Sequence, residues 1–291
     1  GETIGPARNR TQHKTIGDRV SYSYPETVDY LYQLQWHGIA PGLSRITRLL
    51  AEMGYPHQQF PSIHIGGTNG KGSTAAMVAS ILRRSGYRVG LYTSPHLIDF
   101  SERITINGVP IAQDAIVEWT ALLRHRAETA GITLTFFEFT TALAFCYFAS
   151  GSVDLVVAEV GLGGQWDATN VLLPEVAAIT QIALDHEQYL GTTILAIAKE
   201  KAGIIKKDVP LVTGAAQPAV LTLFAEVAAS KGAPLIRLGE EIEICGTDPK
   251  RFLYRGLGTR TIECPLLGSH QVNNAAIAIG IVEQLCAKGS F

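Results

Sequence analysis

Ser62-Ile-His-Ile-Gly-Gly-Thr-Asn-Gly-Lys-Gly-Ser73 is the stretch on which the fold turns. Four residues with no interior charge, Ser62 to Ile65, have the length and character of a buried strand, and the four glycines and small polar residues after them break it. Beyond Ser73 the small and apolar residues Ala75, Ala76, Val78, Ala79, Ile81 and Leu82 recur at helical spacing, and Arg88-Val-Gly-Leu-Tyr92 is strand-like again. Strand, glycine loop, helix and strand make a βαβ unit. Its loop is a phosphate cradle: glycines let backbone N–H groups approach oxygens closely, the helix N-terminus is electropositive, and Lys71 adds a point charge. The spacing departs from the usual P-loop, because Ile65 stands at the first glycine position and Gly72 separates Lys71 from Ser73.

Outward from this unit, Val153-Asp-Leu-Val-Val-Ala158 and Val176-Ala-Ala-Ile-Thr-Gln-Ile182 are nearly continuous apolar runs, as expected of strands covered on both faces. A helical stretch over 139–148 precedes the first, and two helices starting near Pro25 and Leu43 precede the phosphate loop. The fold class expected is α/β: a mostly parallel sheet with helices on both faces, of P-loop type. Pro234 to Arg237, Glu241 to Cys245, Arg251 to Tyr254 and Thr261 to Cys264 are short and alternating, and predict a small antiparallel sheet appended to it. Residues 1–23 are polar and aperiodic and are expected to form a flexible arm, leaving 24–291 as one domain.

With 24 Lys+Arg against 26 Asp+Glu and 46% hydrophobic residues, the chain is neither a disordered tail nor a basic nucleic-acid binder. No apolar run approaches the ~20 residues of a membrane span, and the first residues lack the core of a secretory signal. A cytoplasmic monomer without nucleic-acid or membrane partners is expected. The four cysteines form no CxxC pair, which argues against zinc or redox chemistry.

Several single residues admit two readings. Glu159, at the C-terminal end of a buried strand, is either a cation ligand or a rim carboxylate in water. His186, at the end of the next strand, is either a ligand or a hydrogen-bonded structural histidine. Lys201 lies where exposed lysines commonly stabilise a helix C-terminus. Phe136 and Phe137 offer aromatic walls for a heterocycle, or core packing. Asn274 stands where it would cap a helix beginning at Ala275.

Gly67-Thr-Asn-Gly-Lys-Gly-Ser73, Tyr92-Thr-Ser-Pro-His-Leu97, Ser101-Glu-Arg-Ile104, Glu159-Val-Gly-Leu-Gly-Gly164, Asp167-Ala-Thr-Asn170, Ala183-Leu-Asp-His186, Glu200-Lys-Ala-Gly203 and His270-Gln271 with Asn274 follow in order. From Tyr24 onward the chain resembles the folylpolyglutamate synthase/dihydrofolate synthase family of the Mur ligase superfamily. The resemblance implies an ATP-dependent ligase that joins L-glutamate to a folate or dihydropteroate carboxylate through an acyl phosphate. It implies ATP held by Thr68, Asn69, Gly70, Lys71, Gly72, Ser73 and Asn274, and Mg2+ held by Ser94, Glu159 and His186. Lys71 and Lys201 would be catalytic, the latter carbamylated. The pterin side would be formed by Pro41, Gly42, Leu43 and Ser44, by Thr135, Phe136, Phe137 and Glu138, and by Trp166, Asp167 and Ala168. Gln165 replaces the arginine usual in the family and removes a permanent charge, which predicts an altered preference for substrate charge. Family members carry a further C-terminal domain that closes over the nucleotide, and this chain is expected to lack it. The rival expectations are a Mur-type ligase acting on a cell-wall nucleotide precursor, disfavoured by the Ser-Pro-His and Phe-Phe-Glu motifs, and a nucleotide-binding module that ligates nothing.

Overall fold

The computed structural model describes residues 22–38, 42–185, 187–248 and 250–289. Residues 1–21 of the arm expected over 1–23, together with Pro41 and His186, lie outside the described residues. Ser23 caps the first helix with a capping box, its hydroxyl meeting Glu26 N–H while Glu26 accepts Ser23 N–H at 2.7 Å.

In chain order the elements are α1 (Tyr24–Gln33), α2 (Ser44–Glu52), β1 (Ser62–Gly66), α3 (Lys71–Arg84), β2 (Val89–Tyr92), β3 (Ile104–Ile106), β4 (Val109–Pro110), α4 (Gln113–Thr129), α5 (Phe136–Ser150) and β5 (Leu155–Glu159). Then come β6 (Val176–Ile179), α6 (Glu187–Leu190), α7 (Ile194–Ala202), β7 (Leu211–Thr213), α8 (Pro218–Ser230), β8 (Leu235–Arg237), β9 (Glu243–Cys245), β10 (Phe252–Arg255), β11 (Thr259–Ile262) and α9 (His270–Ala287). The main sheet runs β4-β3-β2-β5-β1-β6-β7-β8; β9, β10 and β11 form a separate antiparallel sheet. From β2 to β8 every pairing in the main sheet is parallel, and β3–β4 extends it as an antiparallel hairpin.

Alternation along the central strands explains the two helical layers. On β5, Val156 and Ala158 pack with Leu31 of α1, Leu49 of α2, Leu123 of α4 and Phe145 of α5, whereas Leu155 and Val157 pack with Val78 of α3 and Ile277 of α9 on the opposite face. A third cluster joins Ala177 and Ile179 of β6 to Ile197 of α7 and Phe224 of α8. α5 is apolar all round because helices enclose it: Phe139, Leu143, Phe145 and Phe148 are at most 1% exposed. Burial of each such side chain contributes roughly 1.5–3 kcal/mol.

One expectation is corrected. Leu235-Ile-Arg237 does not belong to the small sheet; it pairs in parallel with β7, Leu211 opposite Leu235. As the outermost strand it buries only Ile236 while Leu235 and Arg237 stay half-buried, so an edge position mimics antiparallel alternation. The β3–β4 hairpin was not anticipated. Its signal is Asn107-Gly108, where positive φ values of 53° and 79° make the turn that such a pair favours.

Candidate functional site

β1 delivers the phosphate loop to the C-terminal edge of the sheet, and contacts from β6 and its extension fix it there. Thr68 N–H donates to Gln181 O at 2.7 Å, Ala183 N–H donates to Thr68 Oγ1 at 3.2 Å, and the Thr180 hydroxyl donates to Asn69 O at 2.6 Å. Gly67, at φ 134°, lies so close to Thr180 that a Cβ would overlap its hydroxyl. Gly70, at φ 84°, begins α3 and abuts Asn274 in the same way. No side chain caps α3, so its first N–H groups lack a capping side chain. Gly70→Ala is therefore expected to displace Asn274 and weaken binding of AMPPCP, an ATP analogue, about tenfold or more, with a clear drop in Tm. Calorimetric titration and a thermal melt of the variant test this.

Two lysines donate to adjacent carbonyls of this loop. Lys71 Nζ donates to Thr68 O at 3.1 Å, and Lys201 Nζ donates to Gly67 O at 2.9 Å. Lys201 is 3% exposed, not solvated as its helix-end position suggests. Burial, reinforced by the Lys71 charge, pushes its ammonium down to about 8. Its backbone is equally confined, because a Cβ on Gly164 would overlap the carbonyl of Glu200 and the main chain of Lys201.

Glu159, the last residue of β5, is buried, so the rim reading fails. Its Oε2 accepts Ser94 N–H at 3.0 Å, and its two oxygens lie 3.6 and 3.7 Å from where a Gly72 Cβ would stand, over the first turn of α3. Burial raises its pKa, against the opposing pull of the Ser94 N–H and of Lys71. A carboxylate so desolvated is stabilised by a cation, and a carboxylate and a nearby serine are hard oxygen donors of the kind Mg2+ takes. The described residues contain no cluster of three or more His, Cys, Asp or Glu able to hold a metal without other ligands. Ser73 lies half-buried in the first turn of α3. Asn274 is not a helix cap: α9 starts at His270, and Asn274 is buried inside it, donating to Gln271 Oε1 at 2.9 Å.

The residues assigned to the acceptor side divide. Thr135 and Glu138 form the capping box of α5, and Glu138 also accepts Arg45 Nε–H at 3.1 and 3.2 Å, so its carboxylate is occupied by three donors. Phe136 is buried in the core against Tyr32 and Phe100, which favours packing for that ring. Phe137 is half-buried beside Gly161, where a Cβ would collide with the ring. Gly42, Leu43 and Ser44 form the entry to α2, none of them buried. Trp166 is half-exposed and Ala168 buried. Asp167 is buried and committed: Oδ2 accepts Leu162 N–H at 2.8 Å, and Oδ1 accepts the N–H and hydroxyl of Thr169. Burial raises its pKa and these donors lower it.

Two hydrogen-bonded chains were missed in the sequence. His64 on β1, fully buried and held neutral with a pKa of about 3, meets Thr169 Oγ1 at 2.7 Å and so extends the Asp167 network. A polar residue inside an apolar strand was its signal. Arg103, His96 and Tyr32 form the second, with Arg103 Nε donating to His96 Nδ1 at 2.7 Å and His96 Nε2 lying 3.1 Å from the Tyr32 hydroxyl. Nearby, the Glu102 carboxylate accepts the N–H groups of Leu97, Ile98 and Asp99 at 2.8–3.0 Å, stiffening the loop after Ser94.

The Mur ligase middle domain model matches residues 65–282. The chain is 42% identical over 272 residues to a folylpolyglutamate synthase of Lacticaseibacillus casei, covering 88% of this chain and 63% of that protein. It is 39% identical over 277 residues to a dihydrofolate synthase/folylpolyglutamate synthase of Bacillus subtilis, covering 90% of this chain and 64% of the relative. It thus spans somewhat under two thirds of these relatives. Among solved structures, an FPGS complex with AMPPCP and folate superposes with a TM-score of 0.88 at 40% identity, over 93% of this chain and 68% of that one. A Mycobacterium tuberculosis folylpolyglutamate synthase complexed with ADP and AMPPCP gives 0.84 at 36% identity, over 91% and 63%.

Proposed function

Since the chain belongs to the Mur ligase middle domain family, we propose that it is the nucleotide-binding part of an ATP-dependent ligase that adds L-glutamate to a folate-type carboxylate. The relatives named for folylpolyglutamate and dihydrofolate synthesis support the substrate class. The observation that carries the chemistry is the gathering of Glu159, Lys71 and Lys201 around the phosphate loop and the start of α3. In the reaction a carboxylate oxygen of the acceptor bonds to the γ-phosphorus of ATP as the bond to the β-phosphate oxygen breaks, releasing ADP. The glutamate nitrogen then attacks the acyl carbon, phosphate leaves, and the nitrogen loses a proton.

Backbone N–H groups of the loop and Lys71 hold the phosphates and neutralise charge on the transferred group. Glu159 and Ser94, with His186 by resemblance, would hold Mg2+, which when bound neutralises phosphate charge. Lys201, its pKa pushed down to about 8, holds a far larger neutral fraction near neutral pH than an ordinary lysine, which suits it to carbamylation. Asn274, against Gly70, is assigned to the adenine end. Phe137 and Trp166 flank the acceptor. Residues 24–291 act as one domain in this reading.

Glu159→Gln keeps the side-chain shape and removes the charge, so the Mg2+ concentration for half-maximal turnover is expected to rise at least tenfold. An unaltered magnesium titration would remove Glu159 from the metal site. The function is tested, in the full-length ligase of which this chain would be the nucleotide-binding part, by ADP release with dihydropteroate, tetrahydrofolate or a cell-wall nucleotide precursor, each with glutamate. Turnover with the two folate-type acceptors is expected; turnover with the precursor alone would favour the other Mur-type activity.

A further inference from the structure

The chain of hydrogen bonds from Arg103 to Tyr32 has a direction, and the direction is fixed at its buried end. Arg103 is 8% exposed, and its guanidinium lies over the Phe136 ring at 5.2 Å from the centroid. A guanidinium has no lone pair to offer, so the Arg103 Nε–H can only donate, and His96 Nδ1, 2.7 Å away, must accept. A neutral imidazole that accepts at Nδ1 carries its proton on Nε2. His96 Nε2–H therefore donates to the Tyr32 oxygen at 3.1 Å. The Tyr32 hydroxyl, having accepted, keeps its own hydrogen for another partner, and among the described residues no other contact takes it.

That hydrogen is left for a ligand, and the ring that carries it is held in place. The Tyr32 ring stacks on Phe136 with centroids 5.9 Å apart and planes 20° from parallel, which restricts the ring. Tyr32 also lines an open cleft of about 580 Å³ with Asp29, Gln33 and Gln35. One carboxylate, two carboxamides and a phenol beside an aromatic ring offer donors and acceptors to a polar heterocycle. From this geometry, and resting on the proposed folate-type acceptor, we infer that the Tyr32 hydroxyl donates a hydrogen bond to the heteroaromatic ring of the acceptor, with Arg103 and His96 as positioning residues that forbid the hydroxyl from turning inward. An ordinary tyrosine hydroxyl rotates to suit either neighbour; here the inward site is already taken by an N–H.

Tyr32→Phe keeps the stack but removes both the outward donor and the acceptor of His96 Nε2–H, and because His96 is only half-buried and can turn to water, the melting temperature should fall by no more than about a few degrees. Binding of folic acid, of p-aminobenzoylglutamate and of AMPPCP is measured for both by fluorescence and calorimetry. The expected result is about a tenfold loss of folic acid affinity, the size of one oriented hydrogen bond, with the other two ligands unchanged. Unchanged folic acid affinity in the variant overturns the donor role and leaves the ligase reading standing. An equal loss for all three ligands also overturns it, because it marks a structural residue. A parent chain that binds AMPPCP but not folic acid overturns both this inference and the acceptor reading on which it rests.

Discussion

Lys71→Ala is expected to lower phosphoryl transfer by about a hundredfold or more while the protein stays folded. The side chain is half-buried and its ammonium makes one hydrogen bond, to Thr68 O at 3.1 Å, so deleting it costs the fold only about 1 kcal/mol. Its charge faces the first turn of α3, where backbone N–H groups cannot by themselves balance a triphosphate. Calorimetry with AMPPCP and circular dichroism separate the two effects: lost affinity with an intact spectrum is the expected pair. Unchanged affinity would show that the glycine loop does not hold phosphate as described. Because Lys71 also helps depress Lys201, the same variant should let the Lys201 pKa climb back from about 8.

Lys201→Met should separate stability from function most sharply. The ammonium of Lys201 is buried and its pKa falls from 10.5 to about 8. The unfolded chain therefore holds its proton more tightly than the folded one, and the folded state carries a penalty that is full below pH 8. Between pH 8 and 10.5 the folded state releases the proton first, so stability of the parent chain rises across that window. The penalty is on the order of 3 kcal/mol, partly offset by the hydrogen bond to Gly67 O. Methionine has similar length and no charge, so the variant should be more resistant to urea at pH 7, and in the proposed ligase it should abolish activity. Its advantage should shrink as the pH approaches 10. Urea midpoints of both proteins at pH 7 and pH 9.5 read the difference; a gap independent of pH would mean that Lys201 is not depressed.

Much of this architecture is written locally. Strand, glycine loop and helix over 62–84 follow from apolar length and spacing alone, and Glu159 is marked by standing at the end of an uninterrupted apolar run. Leu235-Ile-Arg237 was misassigned because three residues of alternation look the same at the edge of a parallel sheet as in a hairpin. Asn274 looked like a cap because the apolar run begins after it, yet α9 starts a full turn earlier with polar residues facing the loop. Lys201 looked solvated because a helix end usually is, and only the approach of Gly164 and of the loop carbonyl closes it off. Glu138 was read as a substrate contact, and the Thr135-x-x-Glu138 capping pattern, plainly present in the sequence, accounts for much of its bonding. Its partner Arg45 lies 93 residues away and could not be read from any local pattern.

The phosphate loop hangs from strands that are distant in the chain: Thr68 is tied to Ala183, 115 residues later, and β1 is completed on either side only by β5 and β6. Such pairing carries a high loop-closure cost, and parallel strands of this separation assemble slowly. During synthesis, residues 66–73 are made early yet cannot take their final shape until residue 183 has emerged from the ribosome. Nucleotide affinity is therefore a late reporter, silent through collapse and the formation of α1 to α5. The same arithmetic works in reverse at equilibrium: a nucleotide that binds only the assembled loop stabilises the whole parallel sheet, by about 2.7 kcal/mol when present at a hundred times its Kd.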